Sequence, residues 1–305
     1  MSYNLENRLV VGVSSRALFD LSKENDIFEK GGVNAYCDYQ REHENEILNP
    51  GPGFKLIKAL LQLNEMGDGK SRVEVIIMSR NSADTSLRVF NSIKHYGLNI
   101  TRAVLASGGS LAPYLNAFHT DLFLSAYEDD VQSAINSGIA AGIICNDFES
   151  NYNPEENISQ IRIAFDGDAV LFTDESEMIY QREGLEAFEE NERKNADKPL
   201  PQGPFAKFLK TISNIQKEFP PEKVPIRTAL VTARSAPAHE RVIRTLRAWN
   251  VRIDEAFFLG GVAKRDVLLA FGAHIFFDDQ AIHTSPASEV VPSARVPYKH
   301  KNNCD

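Results

Sequence analysis

Apolar residues fall in short, β-branched runs along this chain, with stretches of helical period between them. From the N-terminus the runs are "RLVVGVS", "VEVIIMS", "AVLAS", "TDLFLSA" and "GIAAGIIC". Between them, "GFKLIKALLQLNEM" puts Phe54, Ile57, Leu60 and Leu61 on one helical face, and "SLRVFNSIKHYGL" predicts a helix ending near Gly97. The second half alternates in the same way. Its runs are "IRIAFD", "RTALVT", "EAFFLG", "AHIFFDD" and a short last "SARVPY", with helices in "GPFAKFLKTISNIQ" and "ERVIRTLRAWNV". Buried runs without strict alternation, separated by helices, predict an α/β fold with a parallel sheet covered on both faces.

The halves also match each other block by block. "SSRALF" set over "DGDAVL" places Ser14 on Asp166 at an offset of 152 residues. "IIMSRNSA" over "ALVTARSA" puts Ser79 on Thr232, and "AFHTDLFLSA" over "AFGAHIFFDD" puts Ser125 on Asp278, both at 153. Ordered blocks at a nearly constant offset predict two similar Rossmann-like parallel-sheet units, 1–150 and 151–305, joined in the polar stretch 146–157. About 60 residues separate Asp168 from Thr232, whereas a plain strand–helix–strand crossover takes roughly 30. The charged, helical surplus predicts a small cap inserted at about 174–224 in the second unit.

Bulk properties narrow the function. The formal charge of −9 argues against a general nucleic-acid binder, though it leaves room for a small phosphorylated ligand beside a cation. No run approaches the roughly 20 apolar residues of a membrane span, and the start lacks the features of a signal peptide. Three scattered cysteines, Cys37, Cys145 and Cys304, predict no disulfide framework and suit a reducing cytoplasm.

The chemistry is concentrated in one half. At strand ends the second half carries Asp166, Asp168, Thr232, Asp278 and Asp279, with Lys264 just after a strand. The first half has Ser14, Arg16, Ser79, Ser125, Ala126 and Leu111 in those places. Strand C-termini of such sheets line the ligand crevice. Carboxylates crowded there repel unless a cation sits among them, and hard oxygen donors next to a phosphate point to Mg²⁺. A carboxylate, a cation, a lysine and a hydroxyl are the parts that phosphoryl transfer needs. Arg234, two residues after Thr232, is open to phosphate contact, base contact or a structural ion pair. The "REHENE" segment reads as a solvated acidic face, since its spacing is not that of metal ligands.

"FDGDAVLF", "LVTARS", Lys264 in "GGVAK" and "FFDDQ" resemble the four ordered motifs of haloacid-dehalogenase-like (HAD-like) phosphatases. With "VGVSSRALFD", "YQREHENE", "HYGL" and "DESE", nearly the whole chain resembles the cytosolic 5'-nucleotidase I family. The resemblance implies a phosphoric monoester hydrolase that cleaves nucleoside 5'-monophosphates with Mg²⁺. Asp166 would be the nucleophile, forming an aspartyl-phosphate. Asp168 would protonate the leaving oxygen and then activate water, its pKa raised by crowding against Asp166. Thr232 and Lys264, with Ala233 and Arg234, would bind the phosphoryl group. Asp166, Asp168 (through its carbonyl) and Asp278 or Asp279 would hold the metal. A phosphatase for another small ester and a nucleotide-sensing protein with little turnover stay open as alternatives. Ser14 and Arg16 read first as structural and second as an anion-binding relic for a nucleotide effector; a homo-oligomeric state and the preferred base stay open.

Overall fold

The computed structural model describes residues 5, 7–66, 68–145 and 158–298. The predicted junction at 146–157 lies outside the described residues. The chain forms two compact units, the first running to Ile139 and the second taking up the chain from Ala140.

The first unit contains β1 (Leu9–Val13), α1 (Ser15–Leu18), α2 (Ser22–Glu42), α3 (Phe54–Gln62), β2 (Val73–Ser79), α4 (Leu87–His95), β3 (Arg102–Leu105), α5 (Ala112–Ala117), β4 (Leu122–Ser125) and α6 (Glu128–Asn136). Its strands lie in the order β3-β2-β1-β4, all parallel. Every residue of β1, β2 and β4 is buried, as strands covered on both faces must be.

The second unit contains β5 (Ala140–Ile144), β6 (Ile161–Phe165), α7 (Glu175–Glu183), α8 (Leu185–Lys194), α9 (Ala206–Lys217), β7 (Ile226–Thr232), α10 (His239–Ala248), β8 (Glu255–Phe258), α11 (Lys264–Phe271), β9 (Ile275–Asp278), α12 (Ala281–Ser288) and β10 (Ser293–Arg295). The order here is β5-β10-β9-β6-β7-β8, parallel except that β5 runs antiparallel to β10. All ten apolar runs read from the sequence are strands. β5, which precedes residue 150, nonetheless hydrogen-bonds to β10 of the second unit.

Several details recur in both units. The order β3-β2-β1-β4 has its counterpart in β8-β7-β6-β9. Gly32 breaks α2 at φ 72°, and Gly184 separates α7 from α8 at φ 84°, values natural only to glycine. An isolated bridge joins Phe19 to Pro50, and another joins Phe172 to Gln202. The glycine after each bridge has no room for a side chain. A Cβ on Gly51 would lie 2.8 Å from the Phe19 carbonyl carbon, and one on Gly203 would collide with the Phe172 carbonyl oxygen. These bridges set Phe19 against Phe172, where the constant offset of 152 set it against Leu171. The second turn therefore holds one more residue than the first.

α9 lies inside the 174–224 segment but belongs to the body of its unit. It buries Phe208, Leu209 and Ile212, and Phe208 packs at 6.1 Å from Phe165 of β6 and 6.4 Å from Phe277 of β9. Of the 174–224 segment, α7 and α8 remain outside that body.

Candidate functional site

β7, β6 and β9 are adjacent and parallel, so their C-terminal ends line one edge of the second unit's sheet. Asp166 is the first residue after β6, Thr232 is the last of β7, Asp278 is the last of β9, and Asp279 follows it. Lys264 opens α11. Strand register alone thus delivers the three aspartates and Thr232 to the same edge.

Lys264 is buried between two carboxylates. Its Nζ donates to Asp166 Oδ1 at 2.8 Å and to Asp278 Oδ2 at 2.6 Å. Burial opposes the lysine's charge, but Asp166 and Asp278 together hold its pKa above the ordinary value. The carboxyl of Asp166 moves the other way from a normal aspartate. Burial, then the like charges of Asp278 and Asp168, push it up to about 7 against the pull of Lys264. Burial raises Asp278 as well. Asp279 is pushed up to about 8 by burial and by the Asp166 charge, with Tyr298 pulling the opposite way.

This cluster has the donors of a cation site. Asp166, Asp278 and Asp279 each offer an oxygen within 4.8 Å of the others, the single such cluster among the described residues. Both oxygens of Asp279 are buried outside good hydrogen-bond geometry, with the Tyr298 hydroxyl and its own backbone N–H near enough to favour the charge, a costly arrangement for a carboxylate. Three crowded carboxylates, one of them poorly satisfied, fit a hard divalent cation bound through oxygen.

Asp168 faces a different environment. Arg234 grips it with both arms of its fork, Nε to Oδ2 at 2.8 Å and Nη2 to Oδ1 at 2.7 Å. Burial and like charges raise Asp166 and Asp279, while Asp168 is held by a guanidinium. Arg234 is itself buried and reaches Glu192 of α8 at 2.6 Å. Burial alone would weaken its charge, but Asp168 and Glu192 raise its pKa further. Glu192 also takes Arg241 at 2.9 Å and the Ser176 hydroxyl at 2.9 Å. A chain of buried charges thus ties the inserted helices to Asp168. The backbone just after Asp168 is strained, because Ala169 sits at φ 60°.

Thr232 is buried, and its hydroxyl accepts from the Arg234 backbone N–H at 3.2 Å, which shapes the turn leaving β7. A cleft of about 390 Å³ opens beside these residues, lined by Asp168, Ala233, Arg234, Phe188, Tyr180 and His283. Every site residue read from the sequence lies at this edge of the second unit. Ser14 and Arg16 line a separate cavity in the first.

Sequence reasoning missed Glu192, Arg241 and His283. Glu192 lies one turn after Phe188, and that i,i+4 pair is the buried side of α8, but the surrounding run of charges hides it. His283 has its pKa lowered by burial and by the nearby Lys264 charge. In the "REHENE" segment Glu46 is exposed, and His43 stacks on Tyr39 with ring centroids 3.9 Å apart.

Comparison with known proteins agrees with the motifs. A family profile described as 5'-nucleotidase matches residues 1–303. Human cytosolic 5'-nucleotidase 1B is 39% identical over 306 residues, which is 97% of this chain and 50% of that protein. The chain thus spans about half the length of this curated relative. A solved Pnkp1/Rnl/Hen1 complex overlaps 96% of this chain and 97% of that one, at 12% identity and a TM-score of 0.33, a likeness too slight to bear on the fold. On the profile match across nearly its whole length, with the motifs in order, this chain belongs to the 5'-nucleotidase family, within the cytosolic 5'-nucleotidase I group.

Proposed function

We propose that the second unit is a HAD-like catalytic unit that hydrolyses nucleoside 5'-monophosphates to nucleoside and phosphate, and that the first unit is a degenerate copy of it. The observation that carries this reading is the set Asp166, Asp278, Asp279 and Lys264 at adjoining strand ends, with Asp168 and Arg234 opening onto a cleft beside it.

Asp166 attacks phosphorus, the bond to the ribose 5'-oxygen breaks, and an aspartyl-phosphate forms. Lys264 and the Thr232 hydroxyl, with the Ala233 backbone, hold the phosphoryl oxygens as charge builds on them. Asp168 gives a proton to the leaving oxygen and later takes one from the water that cleaves the aspartyl-phosphate. In the structure Asp168 accepts both Arg234 bonds. The phosphate must therefore draw Arg234 away, or share it, before Asp168 can act as the acid. Mg²⁺, held by Asp166, Asp278 and Asp279, would neutralise the phosphate so that a carboxylate can approach it. The α7–α8 insertion lies over Arg234, whose guanidinium sits 5.3 Å from the Phe188 ring centroid, and serves to exclude water from the cleft.

The expected compartment is the cytoplasm. Among the described residues no helix is long and apolar enough to cross a membrane, and neither Cys37 nor Cys145 is in a disulfide. The test is phosphate release from AMP, IMP, GMP, CMP, UMP and a set of sugar phosphates, with and without Mg²⁺. Release from nucleotides, dependent on Mg²⁺ and reduced about 10³-fold or more in Asp166→Asn, is the expected result. Full activity in Asp166→Asn, or release from sugar phosphates alone, overturns the proposal.

A further inference from the structure

The first unit contains a cavity of about 370 Å³ at the ends of its own strands, where Ser14 follows β1 and Ser79 ends β2. It has the same place in its unit as the Asp168–Arg234 cleft has in the other, and nearly the same volume. Both volumes fall within the usual range for small-molecule sites.

Two arginines and two carboxylates line the cavity, but one of the carboxylates is already neutralised by an arginine from outside the lining. Glu24 is paired with Arg88 at 2.6 Å, and Arg80 donates to Asp130 at 2.8 Å. Among the described residues Arg16 has no carboxylate partner. Its Nη1 donates to the Asn25 side chain at 2.8 Å, and its guanidinium lies 5.5 Å from the Tyr127 ring centroid. A guanidinium has five N–H donors, so most of those on Arg16 are available. The amide nitrogen of Asn81 in the same cavity is buried and makes no full hydrogen bond, with the Tyr36 hydroxyl as its electrostatic neighbour. One surplus guanidinium, with the Asn81 amide held only loosely by Tyr36, calls for an acceptor-rich anion. Tyr36 and Tyr127 add aromatic wall. The carboxylates of the second unit are replaced here by Ser14 and Ser125, so neither a cation nor a nucleophile is in place.

We infer that this cavity binds a small anion bearing a planar ring, the size of a nucleoside 5'-monophosphate, without a metal ion and without hydrolysing it. Arg16 takes the anionic group and the two tyrosines flank the ring. The choice of a nucleotide rests on the proposed reaction of the second unit, because the two cavities share scaffold, position and size.

Calorimetric titration of the full chain carrying Asp166→Asn, in EDTA, with AMP and separately with inorganic phosphate, tests the inference. AMP is expected to bind, more tightly than phosphate. Adding Arg16→Gln should weaken AMP by at least about tenfold, and adding Tyr127→Ala should weaken it severalfold. If Arg16→Gln does not fold, Tyr127→Ala decides. No binding in EDTA overturns the inference. So does binding that Arg16→Gln and Tyr127→Ala leave unchanged, since the ligand then lies in the second unit. Phosphate release by the unmutated chain with Mg²⁺ is a separate readout. Its failure with AMP binding retained removes the hydrolysis proposal and leaves a binding site in the first unit.

Discussion

The turns that leave β1 and β6 start from the same place and settle differently. After β1 the chain closes into the short helix α1, and the Ser14 hydroxyl accepts from the Ala17 N–H at 3.1 Å as its cap. After β6 the turn is one residue longer, and Ala169 is forced to φ 60°. The left-handed region costs a non-glycine residue roughly 1–2 kcal/mol. The first turn carries two serines and an arginine and takes the relaxed form. The second presents two aspartates to a crevice and keeps the strain. Elsewhere the units agree down to their turns: Ser79 and Thr232 accept from the N–H two residues on at 3.1 and 3.2 Å, and Ser125 and Asp278 do so at 3.1 and 2.9 Å. The scaffold tolerates hydroxyl or carboxylate at these points. What separates the units at these turns is charge, and the strain beside it.

The harshest test of that comparison is Lys264→Met, which gives the second crevice an apolar side chain like that of Leu111, its sequence counterpart in the first. It leaves Asp166 and Asp278 buried without their shared cation, which should cost about 3–5 kcal/mol in the metal-free protein. Phosphate release should fall by about 10²–10³-fold. Denaturant melts in EDTA and initial rates in Mg²⁺ measure the two effects. A variant as stable and active as the parent would mean that the lysine is incidental.

Glu192→Gln asks whether the inserted helices act on Asp168 through Arg234. It keeps the shape of Glu192 but removes the charge that Arg234 and Arg241 share. With Arg234 less firmly placed, kcat should drop by up to about 10²-fold and its pH profile should shift, while KM changes less. An unchanged pH profile with a lowered melting point would make Glu192 purely structural.

The sheet was legible because its strands are unbroken apolar runs, and burial on both faces leaves no other reading for "VEVIIMS" or "IRTALVT". The aspartates were legible for a related reason: a charge that ends such a run, as at Asp166 and Asp278, stands out. α5, α6, α11 and α12 were not read, being six to nine residues long with little apolar face to announce them. The Glu192–Arg241 network was hidden because α8 is rich in charge. Which of its acids is buried depends on an arginine 42 residues away and another 49 away. The extra residue after β6 showed only in the bridges, since a one-residue slip is lost in an approximate repeat.

The pH dependence of stability separates the two units further. Asp166 and Asp279 titrate near 7 and 8 in the folded, metal-free protein, against about 4 in an unfolded chain. The folded state therefore holds more protons between these values, and stability must fall as pH rises from about 4 to about 8. Mg²⁺ should flatten the decline, because a bound cation favours the ionised carboxylates. Melting temperature against pH, with EDTA and with Mg²⁺, is the measurement. Asp279→Asn should remove part of the slope, and a slope of the opposite sign would discard the burial argument.

The smallest effect isolates the turns themselves. Ala17 lies in the helix α1, where glycine is worse than alanine by about 1 kcal/mol, so Ala17→Gly should destabilise by about that much. Ala169 lies at φ 60°, where glycine escapes the left-handed penalty but gives up more chain entropy. Ala169→Gly should accordingly leave stability within about 1 kcal/mol of the parent or raise it slightly. It also loosens the backbone that aims Asp168, so kcat should fall while the melting point holds. Equal destabilisation by the two substitutions would mean that the second turn is as relaxed as the first, and that the strain placed beside Asp168 has no part in its action.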